Sequence, residues 1–267
     1  MTERVVLILA EPDDVSSEFV GRQLRQRGCP VLRVSVADLA RARWQHSPDG
    51  EGATTLVFAD GRQVDDARIG VVLNRLASLA LPAFAHANPA DRDYAGAEFA
   101  ALLSSWLHRL QVPVANCVSG DNPYAAARHP LGWHVLAAGQ GIEVADFVVA
   151  SSLRGGAGTG LRRVGGSAYP RGSDVAGWYR GGEAAGLALQ WIHVFGDVCC
   201  GLDEEKVLAA RCVAFVRRLG LACAALGFVA TAVGPCLVEL EPRPPLEDDK
   251  VAGCCADWLQ RALAVAS

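Results

Sequence analysis

Residues 219–244 contain the pattern that decides the fold and read LGLACAALGFVATAVGPCLVELEPRP. Two apolar runs, Leu221–Ala230 and Pro235–Leu240, lie on either side of Gly234. Runs of this length and composition around a glycine are typical of two paired strands. The stretch therefore predicts a β-hairpin near the end of the chain.

The segments around this hairpin predict a regular α+β arrangement. A helix from Asp203 to Leu219 is indicated by apolar residues that recur every three or four positions, with Gly220 as its stop. Before it, Leu187–Phe195 predicts a strand that ends in a Gly196-Asp197 turn. After the hairpin, Lys250–Ala266 predicts a final helix.

The first part of the chain alternates strands with helices, which favours a parallel α/β unit. Val5–Ala10 is a continuous apolar run, as expected of a strand buried on both faces. The other predicted elements are a helix from Ser16 or Ser17 to Arg27, a strand Val31–Val36, a hairpin Thr54–Phe58 with Arg62–Val64, a strand Gly70–Leu76, a helix Tyr94–Leu110 and a strand Pro113–Asn116.

The middle of the chain changes in composition. Leu131–Ala138 predicts a helix and Glu143–Ala150 a strand, and residues 151–187 are rich in glycine and indicate a loop or very short subdomain. We therefore expect an N-terminal α/β domain over residues 1–116 and a second, α+β domain over residues 117–267.

Composition excludes several classes of partner. The net charge is −4 without any basic run, which argues against nucleic-acid binding. No apolar run approaches the roughly 18 residues that cross a bilayer, so no membrane partner is expected. The short apolar run after Arg4 is followed by Glu11, Asp13 and Asp14, which does not fit a signal peptide. A cytoplasmic location is expected.

Nine cysteines are present, and most are expected to be small buried apolar residues. Cys199-Cys200 and Cys254-Cys255 are adjacent pairs. Neighbouring residues on a strand point to opposite faces, so such a pair does not easily chelate one metal ion. A thiol- or metal-handling protein built on these pairs remains an alternative interpretation.

Lysine is almost absent. Only Lys206 and Lys250 occur among 25 basic residues, so residues 1–205 contain no lysine. No phosphate-binding or Schiff-base lysine is therefore available in the first three quarters of the chain.

Four motifs in order resemble the ATP-grasp superfamily, in particular RimK-like and peptide-modifying carboxylate–amine ligases. They are the α/β front unit leading into Pro113–Asn116, the helical segment from Asn122-Pro123 to Val144, the Val194–Val198 turn, and Leu219-Gly220-Leu221 followed by Val238–Pro244. The resemblance implies a compact N-terminal pre-ATP-grasp-like domain followed by a reduced ATP-grasp domain. Each motif is weak alone, and their order and spacing carry the resemblance.

The chain departs from this family at the residues that handle ATP. The resemblance implies a magnesium ligand set of Asp, then Glu about twelve residues later, then Asn two residues after that. Glu239 matches the Glu, Gly227 stands at the Asp position, and Glu241 stands at the Asn position. The two lysines that contact the nucleotide phosphates in the family are missing, and the first would fall near Arg128.

These departures predict a non-catalytic member of a biosynthetic or peptide-modifying pathway. We expect it to bind a protein or peptide partner, such as an active enzyme of the same pathway, without a cofactor and with unknown catalytic residues. Oligomerisation is left open. The alternative is an active ATP-dependent ligase in which arginines replace the lysines. In that case ATP would be held by Arg128, Arg154, Arg162 and Arg163, and Mg²⁺ by Glu239 and Glu241.

Overall fold

The computed structural model describes residues 4–47, 52–77, 79, 81–116, 130–145, 147–150, 162–163, 177–180, 188–202, 205–232 and 234–266. In chain order the elements are β1 (Val5–Leu9), α1 (Val15–Gln26), β2 (Val31–Val34), α2 (Val36–Arg41), β3 (Arg43–Gln45), β4 (Thr55–Val57), β5 (Gln63–Asp65), β6 (Ile69–Asn74), α3 (Pro89–Arg109), β7 (Val114–Ala115), α4 (Pro130–Gly139), β8 (Phe147–Ala150), β9 (Arg162–Arg163), β10 (Gly177–Arg180), β11 (Gln190–Phe195), β12 (Val198–Cys200), α5 (Lys206–Arg218), β13 (Cys223–Thr231), β14 (Gly234–Glu241) and α6 (Asp249–Ala266).

The chain divides into two compact units. Unit 1 comprises Met1–Ala126 and Pro245–Ser267, and unit 2 comprises Ala127–Pro244. The sequence places the final helix in the second domain, whereas the structure assigns α6 to unit 1. The reason is that α6 packs against α1 and β6 of that unit.

The main sheet of unit 1 is parallel, as its sequence pattern predicts. Its strand order is β2-β1-β6-β7, and β1 pairs in parallel with both β2 and β6. Every residue of β1 and β6 is buried, which explains their continuous apolar runs. A separate antiparallel sheet is formed by β3, β4 and β5, so the predicted hairpin gains a third strand.

Helix α3 supplies the largest side chains to the core of unit 1. Trp106 is fully buried and meets Trp44 edge to face, with ring centroids 5.2 Å apart. Its indole nitrogen donates a hydrogen bond to Asp66 at 3.0 Å, so the polar atom of this large residue is satisfied. The tryptophan therefore joins α3 to the segment after β5.

Helix α6 closes the other side of this sheet at a glycine. A Cβ atom on Gly70 would lie 2.2 Å from Cδ1 of Leu263, so no larger residue fits there. Arg27 of the α1 C-terminus pairs with Asp257 at 2.9 Å, and the backbone N–H of Leu246 donates to the hydroxyl of Ser16 at 3.0 Å. The C-terminal segment is thus fixed to the first helix.

Helix α3 begins at Pro89 rather than at Tyr94, because Asn88 caps it, and two helix starts nearer the N-terminus also differ from the sequence prediction. The predicted strand Val31–Val36 ends at Val34, because Ser35 and Asp38 form a capping box that begins α2. Helix α1 begins after Asp14 rather than at Ser16 or Ser17.

Unit 2 is built around an antiparallel sheet with the order β12-β11-β13-β14. The predicted hairpin is present as β13 and β14, which pair antiparallel over their length. Helix α5 packs against β11, β12 and β13 and buries Cys212, Phe215 and Val216. An isolated parallel bridge joins Val144 to Leu237 at the edge of the sheet.

The glycine-rich segment is not entirely loop. β8, β10 and β9 form a three-stranded antiparallel sheet, in which Trp178 and Tyr179 lie on the central strand. The sequence predicts a loop or very short subdomain for this segment, and strands β9 and β10 fit the second of these alternatives. Throughout the described residues, no helix combines the length and apolar character that a membrane crossing requires.

Candidate functional site

The candidate site lies on the β13–β14 hairpin, where the fold-deciding stretch places its two glutamates. Gly227 is directly opposite Glu239, and Ala225 is directly opposite Glu241. The register shifts just after Gly227, so that Phe228 pairs with Leu237. This irregularity is typical of a β-bulge, in which an extra residue on one strand bends that strand and increases its local twist.

Strand β11 extends these pairs into two rows across the sheet. Trp191 pairs with Gly227, and His193 pairs with Ala225. Positions two apart on a strand share a face, so both rows lie on the same side. We call this side of the unit 2 sheet the carboxylate face, formed by Trp191, His193, Ala225, Gly227, Glu239 and Glu241.

Gly227 leaves little room for a larger side chain. A Cβ atom there would lie 3.0 Å from Cβ of Glu239 and 3.3 Å from the indole ring of Trp191. Directly opposed Cβ atoms in a regular antiparallel pair are about 4.5–5.5 Å apart. An aspartate opposite Glu239 would therefore require Glu239 or Trp191 to shift, whereas glycine fits without such a change.

Glu239 and Glu241 are both half-buried. The carboxylate of Glu241 accepts a hydrogen bond from the backbone N–H of Arg243 at 2.9 Å. A magnesium ion requires near-octahedral oxygen coordination. The cross-strand partners Gly227 and Ala225 carry no oxygen ligands, and the described residues include no group of three His, Cys, Asp or Glu side chains able to hold a metal ion. Among the described residues, Glu239 and Glu241 are therefore not grouped with a third ligand of these types, and the magnesium site stays a prediction.

The structure describes two of the four arginines of the alternative interpretation. Arg128 and Arg154 lie outside the described residues. Arg162 and Arg163 form β9, where Arg162 is in register with Arg180 of β10. The structure thus places two of the four predicted phosphate-binding residues in the small antiparallel sheet, by their backbone positions.

Unit 1 carries a separate concave surface along the exposed N-terminal half of α3. We call it the α3 groove; it has a volume of about 630 Å³. Phe84 and Tyr94 are exposed aromatic residues in it, with Tyr94 69% exposed. Its lining residues are Leu81, Phe84, Ala87, Asp91, Tyr94, Ala95, Glu98, Phe99 and Leu102. The side chains that line the groove are apolar apart from the hydroxyl of Tyr94 and the negatively charged carboxylates of Asp91 and Glu98.

The sequence pattern alone does not single out Trp191 as part of this face. Its importance follows from the strand register, which sets it against Gly227. The alternation of side chains along β11 and β13 is visible in the sequence, but the pairing of the two strands is not.

Comparison with known proteins gives matches at the level of structure. No family model matches the sequence, and no curated protein matches it.

Several solved structures are similar over nearly the whole chain. The macrocyclase MdnC bound with precursor peptide MdnA, from Microcystis aeruginosa MRC, has a TM-score of 0.73 at 13% identity and covers 96% of this chain and 99% of its own. The ATP-grasp ligase PsnB, complexed with precursor peptide PsnA2 and AMPPNP, has a TM-score of 0.69 at 18% identity and covers 98% of both chains. A RiPP-associated ATP-grasp ligase from Chryseobacterium gregarium, in complex with ADP and a leader and core peptide, has a TM-score of 0.68 at 12% identity and covers 97% of both chains. The chain therefore has the fold of the ATP-grasp ligases, as its motifs predict.

Proposed function

We propose that this protein is a non-catalytic ATP-grasp-fold subunit that binds a peptide or protein partner in a peptide-modifying pathway. The observation that carries the proposal is the crowding around Gly227. Gly227, opposite Glu239, supplies no oxygen ligand. The indole ring of Trp191 lies 3.3 Å from the place where a Cβ atom at position 227 would be.

The lysine distribution supports the same conclusion. Phosphoryl transfer depends on preorganised positive groups and metal ions around the nucleotide. Loss of one such group commonly costs about 3–4 kcal/mol of transition-state stabilisation. No lysine occurs in residues 1–205, and the described carboxylate face has two carboxylates without a third ligand. Together these losses support a protein that has the ATP-grasp fold but does not catalyse ATP-dependent reactions.

A peptide partner is supported by the similar structures, each of which holds a precursor peptide or a leader and core peptide. In this chain the α3 groove suits such a partner. Phe84 and Tyr94 offer exposed aromatic surface, while Asp91 and Glu98 offer negative charge. The complementary occupant is a peptide segment with apolar anchors and at least one basic side chain.

Calorimetric titration with ATP and ADP in excess magnesium tests the loss of catalysis. We expect no heat of binding up to millimolar nucleotide, and no ATP-dependent coupling by the purified protein. Turnover of ATP by the protein alone would contradict the proposal.

Peptide binding is tested with a synthetic peptide that carries two apolar anchor residues and one basic side chain, the features that complement the α3 groove. Tyr94→Ala should weaken its binding at least about tenfold, since truncation of an aromatic anchor commonly costs more than 1 kcal/mol. Val207→Ala, an exposed position on α5 of unit 2, is the matched control and should bind like the wild type. Equal affinity of wild type and Tyr94→Ala would exclude the α3 groove.

The second candidate function is an active ligase that uses arginines in place of lysines. It is favoured by one observation, the pairing of Arg162 with Arg180 in adjacent strands, which concentrates positive residues in the small sheet. This candidate expects ATP-dependent coupling that disappears in Glu239→Ala. The titration described above separates it from the leading proposal.

A further inference from the structure

The opposite side of the unit 2 sheet is covered by α5 and carries a pair of cysteines from two different elements. Cys199 lies on β12 and Cys212 on α5, the helix that packs against β12, and a side-chain hydrogen bond joins the two thiols across this contact. Cys200, the sequence neighbour of Cys199, pairs with His193 and so belongs to the carboxylate face. The close thiol pair is therefore not the adjacent pair that the sequence suggests.

The two thiols differ in exposure. Cys212 is fully buried, whereas Cys199 is half-buried and lines a cleft of about 580 Å³. The cleft is formed by Asp197, Val198, Cys199, Ala209, Ala210, Val213, Ala214 and Arg217. Six of the eight cysteines described are buried, and Cys199 combines partial exposure with a second thiol in direct contact.

The hydrogen bond divides the acidity of the pair. Donation by the Cys212 thiol lowers the pKa of Cys199, and burial partly opposes this effect. The pKa of Cys212 is raised by the same hydrogen bond, by burial, and by the charges of Cys199 and Glu205. Asp197 and Arg217 are the other charged groups at the cleft. The exposed partner is thus the one that ionises first, and thiolates are the reactive form of cysteine.

We propose that Cys199 is an oxidation site and that hydroperoxides convert Cys199 and Cys212 into a disulfide that links β12 to α5. The inference is independent of the proposed function, because it rests on the α5 side of the sheet.

The chemistry proceeds in two steps. The Cys199 thiolate attacks one oxygen of the hydroperoxide, the O–O bond breaks, and the remaining oxygen leaves as water or an alcohol after taking a proton. The Cys212 sulfur then attacks the sulfenic sulfur of Cys199, the S–O bond breaks, and the hydroxyl leaves as water with the Cys212 proton. The hydroperoxide is reduced by two electrons, and the two thiols together lose two electrons and two protons.

Peptide mapping of the full-length protein tests this inference. The protein is treated with hydrogen peroxide, its remaining thiols are alkylated, and it is digested with trypsin without reductant. Cleavage after Lys206, Arg211 and Arg217 leaves Cys212 in the hexapeptide 212–217, while Cys199 and Cys200 share the peptide 181–206. A cross-link between these two peptides identifies Cys212 directly.

The matched variants Cys199→Ser and Cys200→Ser then identify its partner. We expect the cross-link in the wild type and in Cys200→Ser, and its complete loss in Cys199→Ser. Absence of the cross-link in the wild type, or its loss in Cys200→Ser alone, would overturn the inference. Neither variant alters the buried Cys212, and circular dichroism of each establishes that it is folded before oxidation.

Discussion

The two faces of the unit 2 sheet are made by the same strands but carry different kinds of side chain. The carboxylate face holds Glu239 and Glu241 beside a crowded glycine. The α5 face holds Cys199 and the fully buried Phe215. The first face has two carboxylates whose cross-strand partners are glycine and alanine, and the second has a packed helix with a thiol pair at its edge.

This difference shows that the fold and the chemistry of the sheet are specified separately. Packing of α5 requires only apolar residues at a helical period on one side and alternating apolar residues on the strands. That requirement is met whether or not Gly227 is an aspartate. A chain can therefore keep the ATP-grasp fold at 12–18% identity to ligases while the carboxylate face changes.

The largest expected change in stability comes from truncating a buried side chain on the α5 face. Phe215→Ala should lower the free energy of unfolding by about 3–5 kcal/mol, because Phe215 is fully buried and its removal leaves a cavity under α5. Urea denaturation measures the change. Val207→Ala on the same helix is the control, because Val207 is 67% exposed and its truncation should stay within about 0.5 kcal/mol. A loss below about 1 kcal/mol in Phe215→Ala would mean that α5 does not hold the sheet.

The second expected effect is a gain in stability from a disulfide on the same face. If Cys199 and Cys212 form a disulfide, the oxidised protein should be more stable than the reduced protein by about 3 kcal/mol, the value expected for a closed loop of about 15 residues. Denaturation of oxidised and reduced samples of the Cys200→Ser variant measures this difference without the neighbouring thiol. Cys199→Ser should show no gain on oxidation, and an oxidised protein less stable than the reduced one would indicate a bridge that strains β12 against α5.

The third effect belongs to the carboxylate face. Gly227→Asp should destabilise the protein by about 1–3 kcal/mol, because the new side chain meets Glu239 and the ring of Trp191. The single variant Trp191→Ala and the double variant complete a double-mutant cycle. We expect part of the loss from Gly227→Asp to disappear when Trp191 is alanine, since the two positions are in contact. Additive losses would show that the tryptophan does not exclude an aspartate there.

Sequence patterns predicted most of the fold because its elements have strong periods and clear stops. The apolar runs are continuous in β1 and β6 and in the β13–β14 hairpin. Gly220, with a φ of 76°, follows the C-terminus of α5 and marks its end. The starts of α1 and α2 were harder to predict. At α2, the capping box of Ser35 and Asp38 is visible only once the chain has folded. A strand and a capped helix share the same apolar residues up to that point.

The candidate site was only half predictable, for a different physical reason. Glu239 and Glu241 share a strand, so their common face follows from spacing alone. Trp191 and the Cys199–Cys212 contact depend on pairing between β11 and β13 and on the docking of α5. Such contacts between distant segments are set by tertiary packing, and one sequence without relatives does not reveal them. The assignment of α6 to unit 1 depends on packing in the same way.

The smallest expected effect tests whether the two glutamates still act as a metal site. In the double variant Glu239→Gln with Glu241→Gln, the side chains keep their size, and the amide oxygen at position 241 can still accept the Arg243 N–H bond. The free energy of unfolding should therefore change by no more than about 0.5 kcal/mol. A metal ion raises the melting temperature only if it binds the folded state. Since we expect no magnesium to bind here, magnesium should not raise the melting temperature of either protein. A magnesium-dependent rise in the wild type that is lost in the double variant would instead establish a metal site on the carboxylate face. That result would favour the active ligase, because it would mean that ligands beyond the described residues complete the coordination of Glu239 and Glu241.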